Sequence, residues 1–442
     1  MVDIWGSVLA ATLCVPAIAI LISIKHRRDV LTFLVGASAG LFGVQVFNVH
    51  VFTVVLLVWA FTSPRKVMNK DLALAAVIVV VSALLAVTAI TGDLVNSPTL
   101  ALQLLAMAVG AALLIFRSAI RDVGIMLYGL LTVCSAASLW AILQVAGIVP
   151  SELFHLNVSA SGRPAGFYPE PDWLGLFAGI GLVLAWRMPV KPALRALIFS
   201  ANGLAFVLAF ARAAWVAVGA SILAVVVVTL ITRSKEDRDV PGLDVLPRSG
   251  RFLSLAAFIG AVVVALVALP SLASDLVTRL SRTLVADAAD VSAQARVQQN
   301  DSLALLAQSV PWYGHGISTS GRVGVSGIID YGDAANNVGS NWVASMWVDG
   351  AWLSIPLVIL IIGTAIIAVK TIPGQILLIA ILNSFFSNVI FQPITWFALG
   401  LGLALTVADQ AGRSGVLADV SHVAPGRRTN TPAAIRWAGG PR

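Results

Sequence analysis

The chain has 442 residues, of which 59% are hydrophobic and 11% are charged, and its mean hydropathy is +0.94. Soluble domains typically carry roughly 25% charged residues, so this composition excludes an ordinary water-soluble core. In a soluble protein the net charge of +7 could indicate a nucleic-acid partner, but in a membrane protein the positive-inside rule explains it. We therefore expect membrane lipids, and no nucleic acid, as partners.

Apolar runs of about 20 residues recur along the chain, and each could cross the hydrocarbon core as a helix. They lack the alternation of barrel strands, so the predicted fold is all-α: a polytopic transmembrane helical bundle with one large extracytoplasmic loop containing short helices. Spans are predicted at residues 4–24, 30–45, 48–62, 72–92, 98–116, 123–149, 172–187, 192–210, 213–232, 252–270, 342–368, 373–391 and 394–408. Residues 30–62 could instead form one long tilted helix, which leaves the count at about 12 or 13.

The first run has no basic segment before it, so we predict that it remains as a span and is not a cleaved signal. Cys14 and Cys134 lie inside apolar runs and are interpreted as small core residues. No cluster of His, Cys and acidic residues has the spacing of a transition-metal site, and we expect neither a metal nor a cofactor.

The cations predict the orientation of the chain. The connections and tail assigned to the cytoplasm hold 22 of the 28 Lys and Arg residues, including all six lysines, with an outside N-terminus and an inside C-terminus. Arginine suits bidentate recognition of phosphate better than lysine does, although a general preference for arginine is an alternative explanation. The six extracytoplasmic cations are all arginines: Arg163, Arg212, Arg279, Arg282, Arg296 and Arg322.

Composition divides the chain into four regions. We see no internal repeat and no soluble domain. The regions are residues 1–270 with ten spans, the external loop 150–172 and the cytoplasmic linker 233–251; the large extracytoplasmic loop 271–341; the C-terminal spans 342–408; and a basic, disordered cytoplasmic tail 409–442.

The large extracytoplasmic loop contains two predicted helices. Residues 274–285, "SDLVTRLSRTLV", form an amphipathic pattern that suits the outer membrane surface and carries Arg279 and Arg282. A second helix is predicted at residues 302–309, and Arg296 lies just before it.

Polar residues at three further places are functional candidates. The Gly/Ser-rich run 314–327 contains His315 and Arg322 and is predicted to be flexible, as a lid would be. Asp349 lies about two turns into an apolar helix, where a carboxylate is costly, unless the helix begins later and Asp349 is interfacial. Arg212 is a lone cation between two apolar runs, and the alternative is that it only snorkels to the surface.

Four stretches together resemble a known family. They are "GRPAGFYPEPDWLG" (162–175), "FARAAW" (210–215), "ARVQQNDSLALLAQSVPWYGHG" (295–316) and "SNWVASMWVDGAW" (340–352). In this order they resemble the motifs of the O-antigen ligase and O-antigen polymerase family, multi-span glycosyltransferases of the GT-C type, and the resemblance covers about residues 30–408. The matching positions are Arg163, Gly166, Glu170, Arg212, Arg296, Pro311, Gly314, Gly316, Asn341 and Asp349.

The resemblance implies an enzyme of the bacterial inner membrane with its active site on the extracytoplasmic face. The implied donor is a polyprenyl-pyrophosphate-linked glycan, and the implied acceptor is a glycan or a lipid. Arginines would bind the pyrophosphate, and carboxylates would activate the acceptor hydroxyl. The expected residues are Arg163, Arg212 and Arg296 for the pyrophosphate, Glu170, Asp349 and Asn341 for catalysis, and Arg279, Arg282, Arg322 and His315 as secondary candidates.

Two positions depart from the family pattern. Ser340 stands where ligases have a histidine before the asparagine, and Ala211 replaces the usual serine. The first departure slightly favours a polymerase over a ligase. Two other functions stay open: a lipid-linked glycan transporter or flippase, which should show inverted repeats, broken helices and deep charges, and a non-catalytic subunit of an envelope-assembly complex.

Overall fold

The computed structural model describes residues 27–41, 44–46, 49–62, 69–149, 163–231, 248–268, 291–324, 328–331 and 338–406. These residues are largely helical, which confirms the predicted all-α class. The predicted span 4–24, most of the linker 233–251, the amphipathic segment 274–285 and the tail 409–442 lie outside them. The helices are α1 (Arg27–Ala39), α2 (Val51–Thr62), α3 (Asn69–Thr91), α4 (Pro98–Arg117), α5 (Ile120–Val145), α6 (Pro171–Arg187), α7 (Pro192–Leu208), α8 (Arg212–Ile231), α9 (Arg248–Ala268), α10 (Val291–Ala307), α11 (Trp342–Ile367), α12 (Ile372–Asn383) and α13 (Pro393–Thr406).

Five of the described helices are long and apolar enough to cross a membrane. They lie within α3, α4, α5, α8 and α11, and shorter apolar helices accompany them. The chain is therefore a multi-pass membrane protein. The total of about 12 or 13 spans stays a prediction.

The segment between α1 and α2 is not helical. The strands β1 (Gln45–Val46) and β2 (Val49–His50) pair antiparallel there, with Gln45 opposite His50. Residues 30–62 thus contain two short helices of 13 and 12 residues and not one long helix. Each is about 18–20 Å long, less than the roughly 30 Å of hydrocarbon that a vertical span must cross.

The helices are arranged so that the motif residues share one end of the bundle. At the opposite end, Arg187 closes α6 and donates to the Lys370 carbonyl oxygen, in the connection between α11 and α12, at 2.5 Å. The other ends of α6 and α11 carry the 163–172 and 340–349 segments. We call this end, with residues 92–97 and 209–212, the motif end.

The α12 helix is shorter than predicted. We predicted a span at 373–391, but α12 ends at Asn383, and residues 384–392 are irregular. Two of their carbonyl oxygens accept from α13: the hydroxyl of Thr395 donates to Val389, and the indole of Trp396 donates to Ile390. Irregular backbone at membrane depth is tolerated when its polar groups are satisfied in this way.

Glycines let α1 and α5 approach to backbone contact. A Cβ atom added to Gly129 of α5 would overlap the carbonyl oxygen of Phe33, and one added to Gly36 of α1 would overlap that of Met126. Small residues at such crossings are typical of membrane helices, where close packing replaces the hydrophobic driving force.

We expect Gly129→Ala to destabilise the protein by about 1–3 kcal/mol, because the new methyl group must push α1 away from α5. The measurement is the midpoint of thermal unfolding in detergent. Gly124→Ala on the same helix is the control, because a Cβ atom there meets no atom within 4 Å, and it should leave the midpoint unchanged or raise it. Equal midpoints for the two variants would contradict the close approach.

Candidate functional site

Arg163 joins the loop before α6 to the turn between α7 and α8. Its Nε donates to the carbonyl oxygen of Ala209 at 2.7 Å, and a terminal nitrogen pairs with Oδ1 of Asp172 at 2.5 Å. Asp172 lies in the first turn of α6, where a carboxylate also faces the positive end of the helix dipole. The Arg163 guanidinium therefore fixes this turn in addition to bringing charge to it.

The turn that Arg163 holds leads directly to Arg212. Phe210 is buried with a φ of 49°, which is unusual for a residue with a side chain. Ala211 packs on α6 so closely that a Cβ atom on Gly175 would overlap its methyl group, which gives a reason for a small residue at this position. Arg212 follows as the first residue of α8 and is half-buried. Its charge and the N-terminal end of α8 both favour an anion here.

Glu170 is the residue that precedes α6. It occupies the N-cap position with an extended backbone, and Pro171 follows it as a first helical residue, where its missing N–H costs nothing. Glu170 is exposed, whereas Asp172 two residues later pairs with Arg163. The two acids of this loop therefore have different surroundings.

The helix α11 is broken at Ala351, two residues after Asp349. Ala351 has a φ of 40° and a ψ of −122°, outside the helical region, and it is buried. Pro356 follows within the helix, and it has no N–H to donate to the preceding turn. The main-chain groups around Ala351 consequently need partners from elsewhere.

The loop 311–316 supplies these partners. Its own amides and a carbonyl oxygen bond to the main chain of α11 on either side of the break, at 2.9–3.2 Å. The three hydrogen bonds run from the amide of His315 to the oxygen of Val348, from the amide of Gly316 to the oxygen of Asp349, and from the amide of Trp352 to the oxygen of Trp312.

Two glycines make this contact possible. Gly314 and Gly316 have φ values of 85° and 110°, and a Cβ atom on them would overlap the carbonyl oxygens of Asp349 and Val95 respectively. Residues 314–321 are all buried. The broken helix and the α3–α4 connection contact these residues on both sides, and the flexibility of the run 314–327 stays a prediction.

The carboxylate of Asp349 lies inside the bundle. Asp349 is 2% exposed, and its helix begins at Trp342, so the alternative of a helix that begins later is wrong. Oδ1 accepts from the amide of Ser320 at 2.7 Å, and Oδ2 accepts from the Ser320 hydroxyl at 3.0 Å and from the amide of Ser318 at 3.3 Å. The side-chain hydrogen bonds of Asp349 are thus to Ser318 and Ser320 of the run 314–321. Its predicted catalytic role stays a prediction.

His315 pairs with an acid that the sequence analysis did not single out. Nδ1 of His315 lies 2.8 Å from Oδ1 of Asp93, in the connection between α3 and α4. The His315 side chain is 5% exposed, and that of Asp93 is 46% exposed. Asp93 is the one acidic residue among residues 92–97. A single acid in this short connection is the sequence feature that could have indicated Asp93 as a candidate.

Asn341 caps α11. Its Oδ1 accepts from the amides of Val343 and Ala344 at 3.1 and 3.3 Å, which satisfies two of the free N–H groups of the first turn. This explains the residue type at the position. Its predicted role as an orienter of the acceptor stays a prediction.

Ser340, which stands where ligases have histidine, contacts α10. Its hydroxyl donates to Oε1 of Gln299 at 2.6 Å. Gln299 lies three residues after Arg296 on α10, so this contact brings the helix of Arg296 to the start of α11. The residue that replaces the histidine thus has a structural partner.

The predicted site residues fall into two groups at the motif end. The first contains Arg163, Glu170 and Arg212; the second contains His315, Arg322, Asn341 and Asp349. In the second group, Nε of Arg322 donates to the hydroxyl of Ser318 at 3.3 Å. Arg296 lies on α10, while Arg279 and Arg282 lie outside the described residues.

Residues 196–346 match the family model described as O-antigen ligase. This part of the chain is similar to the O-antigen ligase family. The match confirms the resemblance that the motifs indicated, and it covers Arg212, Arg296 and Asn341. Arg163 precedes the O-antigen ligase match, and Asp349 follows its last residue by three positions. No curated protein matches the chain significantly.

We expect Arg163→Ala to destabilise this O-antigen ligase-like protein by about 1–3 kcal/mol, because it removes a charged hydrogen bond and leaves Asp172 without its ion pair. Thermal unfolding in detergent measures the effect. The matched control is Arg121→Ala. The Arg121 side chain is 76% exposed and that of its ion-pair partner Asp29 is 40% exposed, so this pair should contribute at most about 1 kcal/mol. A larger loss for Arg121→Ala would contradict this ranking.

Proposed function

We propose that this O-antigen ligase-like protein is a glycosyltransferase that uses a polyprenyl-pyrophosphate-linked glycan on the extracytoplasmic side of the bacterial inner membrane. The observation that carries the proposal is the position of Arg212: it lies within the family match and opens α8 at a turn that Arg163 holds. A half-buried arginine at a helix N-terminus is suited to a phosphate group.

The arginines at the motif end supply the electrostatics that this reaction needs. Transfer breaks the bond between the anomeric carbon and the pyrophosphate oxygen, and the electron pair leaves with the polyprenyl pyrophosphate. Arg212 and Arg296, supported by Arg163, would bind that pyrophosphate and stabilise the charge that develops on it. Such a site works without a metal, since preorganised guanidinium groups neutralise the leaving group themselves.

The acceptor side of the reaction needs a group that takes a proton. The acceptor hydroxyl oxygen forms the new bond to the anomeric carbon, and its proton passes to a base. Among the proposed catalytic residues Glu170, Asp349 and Asn341, we assign this role to Glu170, because it is exposed at the motif end whereas Asp349 is buried. Asn341, the N-cap of α11, would help to orient the acceptor.

Within the family we favour a polymerase over a ligase. The support is Ser340, which bonds to Gln299 and cannot act as the histidine of ligases does. The glycan acceptor would then be a second lipid-linked glycan. Envelope glycans of a deletion strain distinguish the two activities: loss of polymer length supports a polymerase, and full-length polymer left on its lipid carrier supports a ligase.

A lipid-linked glycan transporter is the second candidate, and the break in α11 favours it. Broken helices with buried charges are features of transporters, and Ala351 and Asp349 provide both. Proteoliposomes containing the purified protein decide between the functions: glycan lengthening without substrate uptake supports the transferase, and uptake without lengthening supports the transporter.

We expect Arg212→Ala to lower kcat/KM for glycan transfer by about 10²–10³-fold, because it removes a preorganised donor from the leaving group. Arg212→Lys should recover only part of the activity, since lysine lacks the planar fork. Arg121→Ala, an exposed cation at the opposite end, is the control and should transfer normally. Correctly folded Arg212→Ala protein with normal glycan transfer would rule out the proposed binding of the pyrophosphate by Arg212.

A further inference from the structure

We propose that Asp349 is a positioning residue, which holds the buried turn Ser318–Arg322 and through it the guanidinium of Arg322 at the motif end. This inference rests on the proposed glycan transfer and gives Asp349 and Arg322 distinct parts in it. Asp349 acts on the loop, and Arg322 is the cation that this loop holds at the motif end.

The first step is the contact between Asp349 and the turn. Both carboxylate oxygens accept hydrogen bonds, from the amides of Ser318 and Ser320 and from the hydroxyl of Ser320, at 2.7–3.3 Å. Burial removes the competing water, which strengthens these hydrogen bonds. Asp349 thereby fixes the two main-chain amides on either side of Thr319.

The second step leads from the turn to Arg322. Residues Thr319–Gly321 form a single turn of 3₁₀-helix, and the amide of Arg322 closes it by donating to the Thr319 oxygen at 3.0 Å. The Nε of Arg322 donates to the hydroxyl of Ser318. The side chain of Arg322 is thus tied to Ser318, whose amide bonds to Asp349. Its main chain is tied to Thr319, which lies between the two amides that bond to Asp349.

A third contact ties the same turn to the start of α11. The hydroxyl of Ser320 donates to Asp349 and also accepts from the amide of Gly339 at 3.2 Å. Ser320 therefore bridges the beginning of the helix and its break. The turn is thus held by Asp349 within α11 and by Gly339 just before it, and it supports the Arg322 cation at a defined place.

The same geometry argues against Asp349 as the base. A general base must reach the proton that it abstracts, directly or through one water. Asp349 is 2% exposed, and two of its three donors are main-chain amides, which cannot rotate away. A carboxylate in these surroundings stabilises the fold. The role of base for the acceptor hydroxyl therefore stays with the exposed Glu170.

The test combines activity with hydrogen exchange of the purified full-length protein. We expect Asp349→Asn to lower kcat about 10²-fold, because a misplacement of about 1 Å has that effect, while the shape of the pH–rate profile stays unchanged. Exchange of the 314–322 amides should increase. Ser320→Ala should change both quantities in the same direction, and Arg322→Ala should lower the rate without increasing exchange at Ser318 and Ser320.

A double-mutant cycle shows whether Asp349 acts through Arg322. We expect the double variant Asp349→Asn with Arg322→Ala to be no slower than Arg322→Ala alone. Once the Arg322 guanidinium is absent, the loss of the residue that positions it should have no further effect on the rate. Thr364→Val is the control for α11: Thr364 is buried and its hydroxyl bonds to Leu360 within the helix, so activity and loop exchange should stay normal.

Three results would overturn the inference: unchanged exchange in both Asp349→Asn and Ser320→Ala, loss of one limb of the pH–rate profile in Asp349→Asn, or rate effects that multiply in the double variant. Failure of the proposed function has a different signature, since the wild-type protein would then transfer no glycan. In that case the exchange measurements still decide whether Asp349 holds the turn. If Asp349→Asn does not fold, Ser320→Ala provides the same comparison.

Discussion

The arrangement at the motif end depends on one constraint: main-chain polar groups at membrane depth must find partners within the protein. The break at Ala351 removes α11 from regular helical bonding, and the loop 311–316 replaces what is lost. The loop is consequently as much part of the bundle core as the helix is. Its second contact, with Val95 and Asp93 in the α3–α4 connection, anchors it from the other side.

Carboxylates at this end of the bundle organise the cations. Asp172 pairs with Arg163, and Asp349 bonds to the turn that precedes Arg322. In both cases an acid lies at a helix end or break and fixes a segment that carries an arginine. Preorganisation of this kind is what an electrostatic site needs, because donors that are already in place need not rearrange during the reaction.

The structure also gives physical reasons for the motif residues themselves. Gly314 and Gly316 are required by positive φ and by close approach to carbonyl oxygens, and Asn341 caps a helix. Backbone geometry, close packing and helix capping therefore explain the residue type at several positions that mark the family. Arg212 is half-buried and opens α8 at a turn built by its neighbours.

The sequence by itself determined the all-α class and most helix positions, because long apolar runs must be helical in lipid and prolines mark where α4, α6 and α7 begin. It also determined the order of the motifs and the side of the bundle on which they lie. Only the tertiary structure decided the break at Ala351, the burial of residues 314–321, and the partners of Arg163 and Asp349. Contacts between residues far apart in the chain, such as Asp349 with Ser320 and Arg163 with Ala209, contribute to these features, and no local pattern of apolar and polar residues encodes them.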